Sequence, residues 1–163
     1  CLMLAKKPGT LKILHQMLLE RKIQKTYLAL VENKWQGKQL HVNAPLLKNQ
    51  LSSGERIVKV NNQGKSAETI FKPIQFFSDT TLLEAKPLTG RTHQIRVHAA
   101  HVGYPILGDN KYGTQQYDKK LAVKHLLLHA ASLCFTLPAT GKIIAICACL
   151  DEEFKKILKN CMK

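Results

Sequence analysis

A chain of 163 residues, 45% hydrophobic and 22% charged, holds enough material for one globular domain with its own core and too little for two large ones. Its 25 Lys and Arg outnumber 11 Asp and Glu for a net charge of +14, so the partners to expect are polyanions, nucleic acid first. No apolar run reaches membrane-spanning length, and the opening Cys1–Ala5 lacks a signal peptide's basic leader, which argues against a membrane partner.

In chain order, Cys1–Ala5 reads as a β-like run. Lys7-Pro8-Gly9-Thr10 is a turn from which Thr10 can cap a helix reaching Arg21, with Leu11, Leu14 and Leu18 at helical spacing. Lys25–Val31 has two apolar faces, Tyr27, Ala29 and Val31 on one and Thr26, Leu28 and Leu30 on the other, as a central strand does. Gln39–Asn43 predicts a short strand, and Pro45 confines Ala44–Lys48 to an edge or a loop. Glu55–Val60 and Ser66–Phe71, joined through Asn61-Asn62-Gln63-Gly64, predict a hairpin. Thr80–Ala85 is a further strand.

That strand delivers the chain into Thr89-Gly90-Arg91-Thr92-His93-Gln94-Ile95-Arg96. Thr92 predicts an N-cap, after which His93 and Arg96 share a helix face and Ile95, Ala99 and Val102 form an apolar stripe. Val102–Gly113, rich in glycine with one proline, predicts a loop able to touch a ligand, and Gln115–Lys124 a mobile surface insertion. Leu126–Phe135 and Lys142–Cys149 read as strands. Asp151–Met162 predicts an amphipathic helix capped by Asp151, with Phe154, Ile157, Leu158 and Cys161 as its stripe. Hairpin-like strands with helices interposed irregularly predict an α+β domain, a mostly antiparallel mixed sheet flanked by helices.

Five cysteines without framework spacing suit a reducing compartment and a cytoplasmic location; Cys147 and Cys149 are expected to be small buried hydrophobes on one strand face. The chain carries no P-loop, no Gly-x-Gly-x-x-Gly and no His-Glu-x-x-His; His125 and His129 enter a strand, and no metal site is expected. What the residues do support is nucleic-acid binding. Dispersed cations, among them Lys25, Arg91 and Lys111, suit phosphates, and Tyr27, Tyr104 and Tyr112 could stack on a splayed base. Arg96, at the inner turn of a helix start, wants a carboxylate partner.

Four stretches carry a resemblance: Gln24–Val31, Thr89–His98, Pro105–Gly113 and Leu128–Phe135 are similar, in order, to successive motifs of the RluA-type RNA pseudouridine synthases. Ala44–Asn49 and Ser53–Val60 add similarity to the members that modify uridines in 23S ribosomal RNA. The resemblance implies isomerisation of uridine to pseudouridine without metal or cofactor. The N-glycosidic bond is broken, the base rotated and rejoined through C5. It implies Tyr27 as the tyrosine against the flipped base and Arg96 as the arginine that orients the aspartate nucleophile, with Arg91 and His93 holding RNA or the site's backbone. Lys25, Lys111 and Tyr112 are expected as RNA contacts from their charge and stacking.

The nucleophile's own motif, His-Arg-Leu-Asp-x-x-Thr-Ser-Gly, is missing. Asp79, Asp109, Asp118 and Asp151 lack its neighbours. Residues 1–163 are therefore expected to be a pseudouridine synthase catalytic domain truncated at its N-terminus, without the nucleophile segment and the S4-like RNA-binding domain, and inactive alone. A monomer acting on ribosomal RNA is expected. The alternative is a non-catalytic rRNA-binding or ribosome-assembly module.

Overall fold

The structure is a computed structural model that describes residues 1–50 and 56–162. Its centre is β1 (Gln24–Glu32), apolar on both faces and therefore flanked on both sides. β1 pairs antiparallel with β6 (Thr80–Pro87) and with β7 (Leu128–Thr136). β2 (Leu40–Asn43), β5 (Glu68–Phe76) and β8 (Ile143–Cys147) complete a six-stranded sheet in the order β2-β5-β6-β1-β7-β8. A separate two-stranded sheet joins β3 (Leu46–Gln50) to β4 (Arg56–Val60). All of these pairings are antiparallel, as the α+β expectation required.

The two faces of β1 seed two cores. Ala29 and Val31 pack with Phe71, Leu83 and Ile106 beneath α2 (Gln94–His101), which contributes Ile95 and Ala99. Leu30 packs on the other side with Leu82, Leu127 and the Phe154 and Ile157 stripe of α4 (Glu152–Cys161). The sheet thus has a helix on each face, and α2 is held rigidly on the side of Tyr27.

Several expectations need correction. Cys1–Ala5 is not a strand, although it still lies along β7, with the Cys1 nitrogen 2.5 Å from the Ala130 carbonyl. Helix α1 (Pro8–Leu19) begins with a proline in its first turn and no side-chain cap, so Thr10 lies inside it. Its buried residues are Leu14 and Met17, whereas Leu11 and Leu18 are exposed. Cys147 and Cys149 are exposed rather than buried, because β8 is an edge strand with a thin cover. Within the Gln115–Lys124 insertion lies a short helix, α3 (Asp118–Leu121), fastened by a 2.9 Å bond from the Gly108 N–H to Asp118.

The predicted hairpin does not form. β4 pairs with β3, and β5 pairs with β2 and β6. The Asn61–Gly64 turn is present, with the Gly64 N–H 2.8 Å from the Asn61 carbonyl, but it lays the chain against Leu46. Leu46 and Lys65 exchange two backbone bonds of 2.9 Å, and a Cβ at Gly64 would collide with the Leu46 carbonyl carbon. Alternation in two neighbouring segments shows that both are strands; it does not say which strand each will pair with. The Ser53-Gly54-Glu55 part of the sequence similarity lies outside the described residues.

Candidate active site

A cleft of about 250 Å³ opens where the start of β1, the end of β6 and the approach to α2 meet; Lys25, Tyr27, Thr89, Arg91, His93 and Arg96 are among the residues lining it. Larger hollows of about 470 and 400 Å³ lie nearby, beside the β3–β4 sheet and between the ends of β1 and β6, but this smaller cleft gathers the chemistry. Tyr27 stands where the β1–β7 register slips between Thr26 and Tyr27, an irregularity of the kind that re-aims a side chain. Burial pushes its phenol pKa up and, at neighbouring Lys25, pushes the ammonium pKa down.

Helix α2 starts in an unexpected way. Thr92 does not cap it. The residue before the helix is His93, in the left-handed region at φ 53°, with no side-chain cap. Gln94 instead ties the loop before the helix to the sheet. Its Oε1 accepts from the Arg91 N–H at 2.9 Å and the Thr89 hydroxyl at 2.7 Å. Its Nε2 donates to the Glu68 carbonyl at 2.8 Å and to Thr69 Oγ1 at 3.0 Å. The network continues to His98, fully buried, whose Nδ1 lies 2.9 Å from Thr69 Oγ1 and whose Nε2 lies 2.9 Å from the Ala44 carbonyl. A carbonyl only accepts, so Nε2 carries the proton and Nδ1 accepts from the threonine. Burial lowers the His98 pKa and keeps the ring neutral.

Arg96 projects from the same first turn. It finds the carboxylate partner that its position called for within this chain, although not in the nucleophile's motif: Nε lies 2.8 Å from Asp109 Oδ2 and Nη2 2.6 Å from Oδ1. The Asp109 side chain is 0% exposed and also accepts from the N–H groups of Lys111 and Tyr112 at 3.0 and 3.1 Å. Burial opposes its charge most strongly, but the Arg96 bonds and the two backbone donors together hold its carboxyl below the usual range.

Tyr112 is an internal strut and does not line the cleft. Its hydroxyl accepts from the Val58 N–H at 3.0 Å and lies 2.9 Å from His93 Nδ1, while the Arg96 guanidinium sits 5.0 Å from its ring centre. Burial, with Arg96 and Lys111 nearby, lowers the His93 pKa. Tyr104, also expected as a stacking residue, packs on Trp35 at 4.4 Å within the core.

The structure therefore brings Tyr27, Lys25, Arg91, His93 and Arg96 into one cleft, which Lys111 and Tyr112 do not line. Sequence reasoning missed Gln94, Thr69 and His98. A glutamine beside a histidine at a helix start carries no local sign that two of its partners, Glu68 and Thr69, lie more than 20 residues away. Among the described residues no helix is long and apolar enough to cross a membrane.

Comparison with known proteins places these features in a context. The family model described as RNA pseudouridylate synthase matches residues 1–101. The ribosomal large subunit pseudouridine synthase C of Pasteurella multocida is 51% identical over 160 residues, covering 96% of this chain and 49% of that protein. Its namesake from Escherichia coli K12 is 47% identical over 164 residues, covering 98% and 51%. The chain spans about half the length of these relatives. Two human structures share the fold. RNA Pseudouridylate Synthase Domain Containing 1 aligns with a TM-score of 0.74 at 24% identity, covering 90% of this chain and 62% of that one. Domain Containing 4 aligns with a TM-score of 0.75 at 22% identity, covering 94% and 67%.

Proposed function

The chain belongs to the RNA pseudouridylate synthase family, and from that premise we propose that the protein isomerises uridines to pseudouridine in large-subunit (23S) ribosomal RNA. The observation that carries the reading is the convergence of Tyr27, Lys25, Arg91, His93 and Arg96 on one cleft in so basic a chain. A uracil turned out of its stack packs on the ring of half-buried Tyr27, whose neutral phenol places no charge against the base. The hydroxyl then assists removal of the C5 proton after the base has been rejoined through C5. Lys25 and Arg91 meet phosphates, with Lys111 in support.

The reading places the nucleophilic Asp outside residues 1–163, since none of the four aspartates of this chain has the neighbours of the nucleophile's motif. Among the described residues, no Asp or Glu lines the cleft. Asp79 pairs with Lys120, Asp109 is enclosed, Asp118 accepts from Gly108, and Asp151 caps α4. The base moves within one nucleotide with no net oxidation, so the reading includes no cofactor; it is of a cytoplasmic monomer.

The test is pseudouridine formation by the full-length protein on large-subunit rRNA that lacks the modification. Conversion of uridine is expected. Tyr27→Phe should hold RNA within about threefold of wild type while turnover falls about 100-fold. A full-length protein that binds this RNA and leaves every uridine unchanged would overturn the reading. It would favour the second one, a non-catalytic rRNA-binding or ribosome-assembly module.

A further inference from the structure

We propose that Asp109 is a positioning residue that acts through Arg96, clamping one edge of the guanidinium so that the other edge is presented to the cleft. The inference rests on the pseudouridine reading above. A guanidinium offers two hydrogen-bonding edges that meet at one nitrogen, and their relative direction is fixed by its planarity. Asp109 takes the edge formed by Nε and Nη2, at 2.8 and 2.6 Å, and neither bond uses Nη1. The edge carrying Nη1 is left to the cleft that Arg96 lines. A second carboxylate, or a substrate oxygen that gains charge, can therefore meet Arg96 without displacing Asp109.

The clamp is itself braced. Asp109 is 0% exposed and does not line the cleft, so it cannot attack a nucleotide there. The amides of Lys111 and Tyr112 fix its Oδ1. Gly113, whose N–H bonds the Asp109 carbonyl at 2.8 Å, leaves no room for a Cβ beside that oxygen. On the other side, a Cβ at Gly108, where φ is +73°, would collide with the His125 carbonyl. The Tyr112 ring, 5.0 Å from the guanidinium carbon, limits tilt of the guanidinium plane. Two glycines, two amides and an aromatic ring are more than a surface ion pair requires. They suit a guanidinium whose direction matters, where a misplacement of about 1 Å is worth about 100-fold in rate.

The test uses the full-length protein and its rRNA. Asp109→Asn keeps an oxygen for the two amides and removes the charge-matched clamp. The expected result is a fall in kcat of about 30-fold or more with KM within about threefold. In an Arg96→Lys background, which has no second edge to aim, the same change should cost less than about threefold. A wild-type kcat in Asp109→Asn, or an equal loss in both backgrounds, overturns the proposal. Should Asp109→Asn fail to fold, Arg96→Lys alone decides. It retains a cation for Asp109, so a wild-type kcat would overturn the proposal and a loss of about 100-fold at unchanged KM would support it. Slow exchange of the Arg96 Nε–H in wild type needs no turnover to observe. Its absence would overturn the clamp, whereas an inactive wild type with a protected Nε–H would strike only the pseudouridine reading.

Discussion

Helices α2 and α4 cover opposite faces of the same sheet, yet they begin by opposite means. The Asp151 side chain accepts from the Phe154 N–H at 2.8 Å, with Glu152 and Glu153 in the first turn. Everything that start needs lies within four residues. The α2 start has a left-handed His93, no cap, no acid in its first turn, and a glutamine whose partners come from β5 and the Thr89–Arg91 loop. A cap satisfies the helix and nothing more. The α2 arrangement satisfies the helix entry and also fixes Arg91, His93 and Arg96 around a cleft, at the expense of a strained residue held by its surroundings.

The contrast is most directly broken at Gln94. Gln94→Ala removes four hydrogen bonds and leaves several buried groups without partners, so stability should fall by about 3 kcal/mol in urea unfolding. A loss under about 1 kcal/mol would mean that α2 holds its start by packing alone. Next comes the buried histidine behind it. His98 has a pKa lowered from 6.5 by burial, so below about pH 6.5 the unfolded chain binds a proton that the folded chain refuses. Its contribution is complete above that value and is lost as pH falls toward the folded pKa. The urea midpoint should therefore drop from about pH 7 to about pH 5, and His98→Gln should flatten part of that slope. An unchanged slope would place the titration on other histidines. The smallest effect belongs to α4: Asp151→Ala should cost about 1 kcal/mol, a single cap, and leave RNA turnover unaltered. A change in turnover would show that the two helices are not separable.

The same division runs through what could be foreseen. The two-faced apolar pattern of β1 marked it as the sheet's centre, and the stripe and cap of α4 were legible because their physics is local. The sequence motifs pointed to Tyr27 and Arg96, and the folded chain does set both on one cleft. Pairing was not legible. β4 turned to β3 because Gly64 allows the chain to press on Leu46, a contact with no signature in alternation.

Composition, charge and periodicity by themselves determined a basic α+β domain with its central strand and C-terminal helix, since each of those is written in residues a few positions apart. Tertiary structure alone decided which carboxylate Arg96 meets, that Tyr112 braces the site and does not line it, and that Gln94 ties the Thr89–Arg91 loop to β5. Each depends on side chains brought together from distant segments, and only closing the chain around its core brings them within hydrogen-bonding reach.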